Sequence, residues 1–190
     1  LLLIWEMGAR LVNTSFILPT PTEVGMKLWE LREVLFLHHL PITFSVIAIG
    51  LAISLVLGIS LAISMSMSKA LEQTFYPLLI TSQTIPIIAL APIFVLWFGY
   101  SIWSKIIVTI IIPFFPITVS TFDGFRSTNK DLKELFQSIG ASRRQLFFKL
   151  EVPSALPSFF SGLKVAVPMS VIGAAIGEWL GAQAGLGYFS

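Results

Sequence analysis

The sequence has no cysteine, and only 12% of its 190 residues carry charge. Without cysteine there is no disulfide, no thiolate metal site and no cysteine nucleophile within these residues. The shortage of charge excludes more. A soluble domain of this length carries about 25% charged residues to cover its water-facing surface. Here 55% of residues are hydrophobic and mean hydropathy is +0.87, so the solvent this chain is built for is lipid. The apolar runs do not alternate with polar residues, which argues against a lipid-embedded β-barrel. A formal net charge of +2 is too small to point to a nucleic-acid partner. The sequence also lacks a Gly-x-x-x-x-Gly-Lys-Ser/Thr phosphate loop and a cluster of nucleophile, base or metal ligands. No catalysis, cofactor or ATP hydrolysis is expected of this chain by itself.

What is present is length of apolar chain. No Asp, Glu, Lys or Arg occurs from Val34 to Ser68 or from Gln73 to Ser104. Each run exceeds the roughly 20 apolar residues that a helix needs to cross the hydrocarbon core. The pattern predicts an all-α, polytopic transmembrane helix bundle forming one domain over residues 1–190. Its spans are expected at about 1–12 (partial), 43–65, 76–98, 103–122 and 156–179. The chain reads as truncated at both ends. Leu1–Val12 looks like the tail of an apolar helix, and the sequence stops just after a glycine-rich turn.

Thr20-Pro21-Thr22-Glu23 has the spacing of a capping box with proline at the first helical position. The helix it opens is expected to run about four turns, with Val24, Leu28, Leu31 and Leu35 on one face. It would lie along the membrane surface or serve as a packed connector. His38 and His39 follow, read as interfacial residues because no ligand partner lies near them in sequence.

The segment 123–153 holds Arg126, Lys130, Lys133, Arg143, Arg144 and Lys149, half of the 12 Lys and Arg. The positive-inside rule places this loop in the cytoplasm and the 13–40 segment outside. Within the loop, Thr128 and Asp131 predict a capping box. Leu132, Leu135, Phe136 and Ile139 then recur at i, i+3, i+4 and i+7 as one apolar stripe. Gly140 ends that helix, Ser142 and Gln145 open a second one, and Pro153 closes the unit. A stripe of this kind either lies on the bilayer or docks in a groove of a partner protein.

Glu134-Leu135-Phe136, three residues, Gly140, nine residues, then Leu150-Glu151-Val152-Pro153 resembles the loop signature of binding-protein-dependent importer permeases. That signature runs Glu-Ala-Ala, three residues, Gly, nine residues, Ile-x-Leu-Pro; Leu135 and Phe136 depart from its two alanines. Leu18-Pro19-Thr20-Pro21-Thr22-Glu23-Val24, Pro86-Ile87-Ile88-Ala89-Leu90-Ala91-Pro92, Leu96-Trp97-Phe98-Gly99, Phe114-Phe115-Pro116 and Gly185-Leu186-Gly187-Tyr188 are similar to the branch handling sulfonates, taurine, nitrate and pyrimidine precursors. The resemblance covers essentially the whole chain and implies a permease subunit in a bacterial inner membrane. It further implies a cytoplasmic ATP-binding subunit, an extracytoplasmic solute-binding protein and a second permease copy as partners. Leu132, Glu134, Leu135, Phe136, Ile139, Gly140 and Ala141 would then form a coupling helix seated in the ATPase.

For a translocation path or gate the candidates are Ser82, Gln83, Pro86, Pro92 and Glu178. Prolines in spans kink helices and serve either as flex points or as static packing features. Ser82, Gln83 and Thr84 form a polar island that suits internal hydrogen bonding or solute contact. Glu178 stands beside Trp179 at the outer end of the last span, as a pathway acid or an interfacial one. Lys164 is expected to snorkel to the cytoplasmic headgroups. The competing reading is an ion-coupled secondary transporter, which more often places carboxylates or broken helices at the bilayer midplane.

Overall fold

The structure, a computed structural model, describes residues 2–12, 19–84, 93, 96, 97, 99, 102–179, 185 and 186. Among these residues, helices account for all regular structure. In chain order they are α1 (Leu2–Val12), α2 (Pro21–Glu30), α3 (Leu40–Met67), α4 (Lys69–Ser82), α5 (Ile102–Arg126), α6 (Lys130–Ser138), α7 (Arg143–Leu146) and α8 (Val152–Trp179). Among the described residues, three stretches are long and apolar enough to cross a bilayer: Val34–Met67, Lys105–Arg126 and Arg143–Trp179.

The bundle is organised around α5, which packs between α3 and α8. Interior positions on the flanking helices are small: Gly50, Ser54, Gly58 and Ala62 of α3, and Gly162, Ala166, Ser170, Gly173 and Gly177 of α8. A Cβ at Gly58 would stand 2.9 Å from Thr118 Oγ1, and one at Gly177 would stand 3.0 Å from Lys105 Cα. These glycines let the backbones approach, the usual way helices associate in lipid. The large aliphatic residues point outward instead. Ile49, Val56 and Leu57 of α3 and Val165, Val171 and Ile172 of α8 are exposed. Small residues inside and bulky ones outside is the arrangement of a chain solvated by lipid.

Hydroxyls in this interior stay bonded. Ser54 Oγ lies 2.7 Å from Gly50 O and 2.6 Å from Ile110 O, linking α3 to α5. Thr109, Thr118 and Thr121 donate to carbonyls four residues back along α5. Toward the loop end, Ala62, Met65, Leu79, Phe122, Phe125 and Ala155 form a buried apolar cluster that roots α3, α4, α5 and α8 together.

Several local expectations change. The capping box at Thr20–Glu23 is present with Pro21 behind it, but α2 ends at Glu30 instead of running four turns. After a turn at Leu31 the chain resumes helix and passes through a π-helical turn, Val34–His39, directly into α3. At α6 the cap is Asn129, whose Oδ1 accepts the Asp131 N–H at 2.8 Å, and not Thr128. Thr128 is buried with no hydrogen-bond partner for its hydroxyl. Pro153 does not close the loop unit. Arg143–Trp179 is one helical stretch, with a π turn at Phe147–Glu151 just before Pro153. The wider turn accommodates the missing proline N–H, so the helix proceeds. Pro113 and Pro116 likewise lie inside an unbroken α5. Of the third span expected at about 76–98, residues 76–82 belong to α4, and most of 85–98 lies outside the described residues.

Candidate functional site

Two groups of candidate residues sit near opposite ends of the Arg143–Trp179 stretch. At its start is the loop. Asn129 caps α6, and its last turn closes in a Schellman arrangement: Ala141 N–H reaches Phe136 O at 2.9 Å and Gly140 N–H reaches Gln137 O at 3.0 Å. Gly140 makes this closure with φ +79°, the left-handed conformation its position anticipates. Ser142 and Gln145 then form the reciprocal capping box that starts α7. Three short-range devices fix the angle between the two helices.

That angle decides which side chains are free. Leu132, Leu135 and Ile139 are exposed, Ile139 to 72%. Phe136 is half-buried and turns toward a hollow of about 300 Å³ that it shares with Ile139, Gly140, Ala141, Gln145 and Lys149. The stripe therefore divides: three residues face outward and Phe136 supports the turn. Glu134 is exposed on the same helix. Among the described residues no set of His, Cys, Asp and Glu could hold a metal ion.

Beneath the loop, polar ties bind neighbouring elements. Lys133 Nζ meets Glu151 Oε1 at 2.6 Å, joining α6 to the root of α8. Tyr76 donates to Asp123 at 3.0 Å, and Arg126 approaches Glu72 at 3.9 Å while lying 5.5 Å from the Tyr76 ring centre. The α4–α5 corner is fixed by this cluster.

At the opposite end, Glu178 is 1% exposed. Thr43 Oγ1 donates to Glu178 Oε1 at 2.6 Å and accepts the Leu186 N–H at 2.9 Å. His39 Nδ1 accepts the Gly185 N–H at 3.0 Å, which leaves the ring proton on Nε2. Gly185 has φ +127°, and a Cβ there would collide with the Glu178 carboxylate. So α3, α8 and the Gly185–Leu186 turn converge on one buried carboxylate. Glu178 is interior although its neighbour Trp179 is exposed, and His39, read as interfacial, is a buried acceptor. Thr43 escaped the sequence reading, and His39 was read without it, although polar residues at i and i+4 opening an apolar run were the available signal.

The remaining path candidates are elsewhere. Ser82, half-buried, donates to Leu79 O at 2.7 Å within α4, and Gln83 is the exposed C-cap of that helix. Pro86 and Pro92 lie outside the described residues. Lys164 is exposed on α8.

A bundle with small residues inside, aliphatic residues outside and, among the described residues, three bilayer-length apolar stretches defines a multi-pass membrane protein. Comparison with known proteins gives the family: residues 54–190 match the binding-protein-dependent transport system inner membrane component, and the chain belongs to it. It is similar to a formylaminopyrimidine transport permease of Halalkalibacterium halodurans, 58% identical over 190 residues, 100% of this chain and 76% of the relative. A riboflavin transport system permease of Chloroflexus aurantiacus is 40% identical over 189 residues, covering 98% and 70% of the two chains. A taurine transport system permease of Escherichia coli is 28% identical over 190 residues, covering 97% and 69%. The chain is thus a permease of the ABC importer class, a multi-pass protein of the bacterial plasma membrane.

Proposed function

We propose that this permease forms the translocation path of an ATP-driven importer, with a separate ATPase docking on α6 and its turn. An extracytoplasmic binding protein would deliver the solute, and a second copy of the chain would complete the path. All 190 residues would form one transmembrane domain, with 123–153 in the cytoplasm. The observation that carries this reading is the exposed trio Leu132, Leu135 and Ile139, held outward by a capped and Schellman-closed helix in the most basic part of the chain. An apolar face on a rigid short helix suits a groove in a partner protein. Glu134 and Ala141 flank it, and Gly140 sets its angle. On the far side of the bundle, Glu178 with Thr43 and His39 suits a gate at the outer mouth; Ser82, Gln83, Pro86 and Pro92 belong to the path only by sequence position. The solute we infer is a small pyrimidine, on the strength of 58% identity to a formylaminopyrimidine permease.

The docking face is tested by Leu135→Asp. Leu135 is 54% exposed, so a carboxylate there leaves the permease fold intact. Placed in a protein–protein contact, it would be unpaired, and loss of a central anchor costs about 2 kcal/mol or more. Detergent-purified Leu135→Asp complexes should lose the ATPase, and ATP-dependent uptake of labelled formylaminopyrimidine should stop. A stoichiometric ATPase retained by this variant at normal expression rejects the docking face. If the variant releases the ATPase but the parent imports another solute and no formylaminopyrimidine, only the pyrimidine is rejected.

A further inference from the structure

A docked helix does work only if its displacement reaches the spans, and α6 is poorly attached to them. Its ends are set by its own turns, and its packing neighbour is the short α7. Its exposed residues Leu132, Leu135 and Ile139 face away from the bundle. Among the described residues, a single ion pair carries a polar bond from α6 to a membrane-spanning helix: Lys133 Nζ to Glu151 Oε1, 2.6 Å. Both side chains are largely shielded, with 28% and 14% of their surface exposed. Shielding raises the weight of the pair over that of a solvated surface contact. Glu151 is the last residue of the π turn, directly before Val152 opens α8. From there the helix runs to Trp179, beside the buried Glu178–Thr43 bond. The whole stretch Arg143–Trp179 has 37 residues, about 55 Å at about 1.5 Å each.

We infer that Lys133 and Glu151 are the positioning pair that makes α6 and α8 move as one body, so that displacement of the loop reaches the outer end of the bundle. The inference rests on the docking reading above and adds the mechanical link to it. Without the pair, α6 is held to the bundle by its three-residue link to α5, by its hinge at Gly140 and by Phe136, and it can follow the ATPase while α8 stays behind. A packed apolar pair would hold the two helices together as well, but a paired charge also fixes their register, because Lys133 meets its partner only when α6 sits at one height over the root of α8.

The experiment uses the full permease–ATPase complex in lipid vesicles, with a cysteine at Ile172 as reporter. Ile172 is 53% exposed on the outer half of α8, and these 190 residues contain no native thiol to interfere. The cysteine carries a nitroxide, and the signal is its collision rate with dissolved oxygen, a relaxant that partitions into lipid, with and without ATP plus orthovanadate. In the parent the nucleotide should change the rate by about fivefold or more, the lower range of ordinary coupling between sites. Lys133→Met and Glu151→Gln should each keep a stoichiometric ATPase yet lose the change. The exchange Lys133→Glu with Glu151→Lys should restore at least half of it. A full nucleotide response in Lys133→Met overturns the inference, as does an exchange variant that behaves no better than the single ones. Release of the ATPase by Lys133→Met would also overturn it, by assigning the lysine to docking. If no ATPase accompanies even the parent, the docking reading falls first, a result distinct from a bound ATPase that no longer moves Ile172.

Discussion

Gly140 concentrates the loop's geometry in one residue. Its φ of +79° is open to glycine and costly for a side chain, yet no atom lies within 4 Å of where a Cβ would stand. A substitution there meets backbone strain and no collision. Gly140→Val should therefore cost about 1–2 kcal/mol locally, enough to reopen the turn between α6 and α7 without disturbing the spans. Membrane insertion should be normal, and uptake should fall because the exposed trio no longer faces the partner groove. Wild-type uptake by Gly140→Val would show that the angle between the two helices is irrelevant. Gly185 contrasts with it. There the positive φ coincides with the Glu178 carboxylate, so any side chain both strains the turn and displaces a buried acid.

Between elements, the decisive bonds join residues far apart in sequence. Thr43 is the clearest: its hydroxyl serves Glu178 on α8 and the Leu186 amide at once. Thr43→Val keeps the shape and removes both bonds. A buried group left without its partner costs about 1–3 kcal/mol, so the variant should melt at lower temperature in detergent and release the Gly185–Leu186 turn to faster amide exchange. Unchanged exchange at Leu186 would mean that the turn is held by other contacts. The sequence offers His39 and Thr43 as a polar pair, but it does not name their partners, because nothing local marks a contact across 135 positions. The same holds for Lys133 and Glu151, which occupy different helices. Short-range chemistry was legible, as the reciprocal boxes at Thr20–Glu23 and Ser142–Gln145 and the left-handed Gly140 attest. It failed where two capping residues stand side by side: Thr128 has the right spacing to Asp131, but Asn129 takes the cap with its longer carboxamide. It failed again at Pro153, since a π turn makes room for a proline that would otherwise stop the helix.

At the scale of the whole molecule, orientation in the membrane follows from charge, and the proposed partners depend on it. The stretch from Arg126 to Lys149 concentrates half of the 12 Lys and Arg, whereas α2 bears only Lys27, already paired with Glu30 at 2.8 Å. Basic residues are retained on the cytoplasmic side during insertion, so Ser127 should face the cytoplasm and Met26 the exterior. Both are exposed, and neither position sits in a contact whose loss would unfold the bundle. Ser127→Cys and Met26→Cys, made separately, should divide cleanly under a membrane-impermeant maleimide. Intact spheroplasts should label position 26 and spare 127; permeabilised ones should label both. The reverse pattern would turn the molecule over, putting Leu132, Leu135 and Ile139 outside the cell where no ATP-binding subunit can reach them. Labelling of both in intact spheroplasts would mean that an odd number of crossings does not separate α2 from α6, and the segment 85–101 would then have to return to the side it left. Each outcome bears on the importer reading as a whole, because a docking face and an outer gate must lie on opposite sides of one membrane.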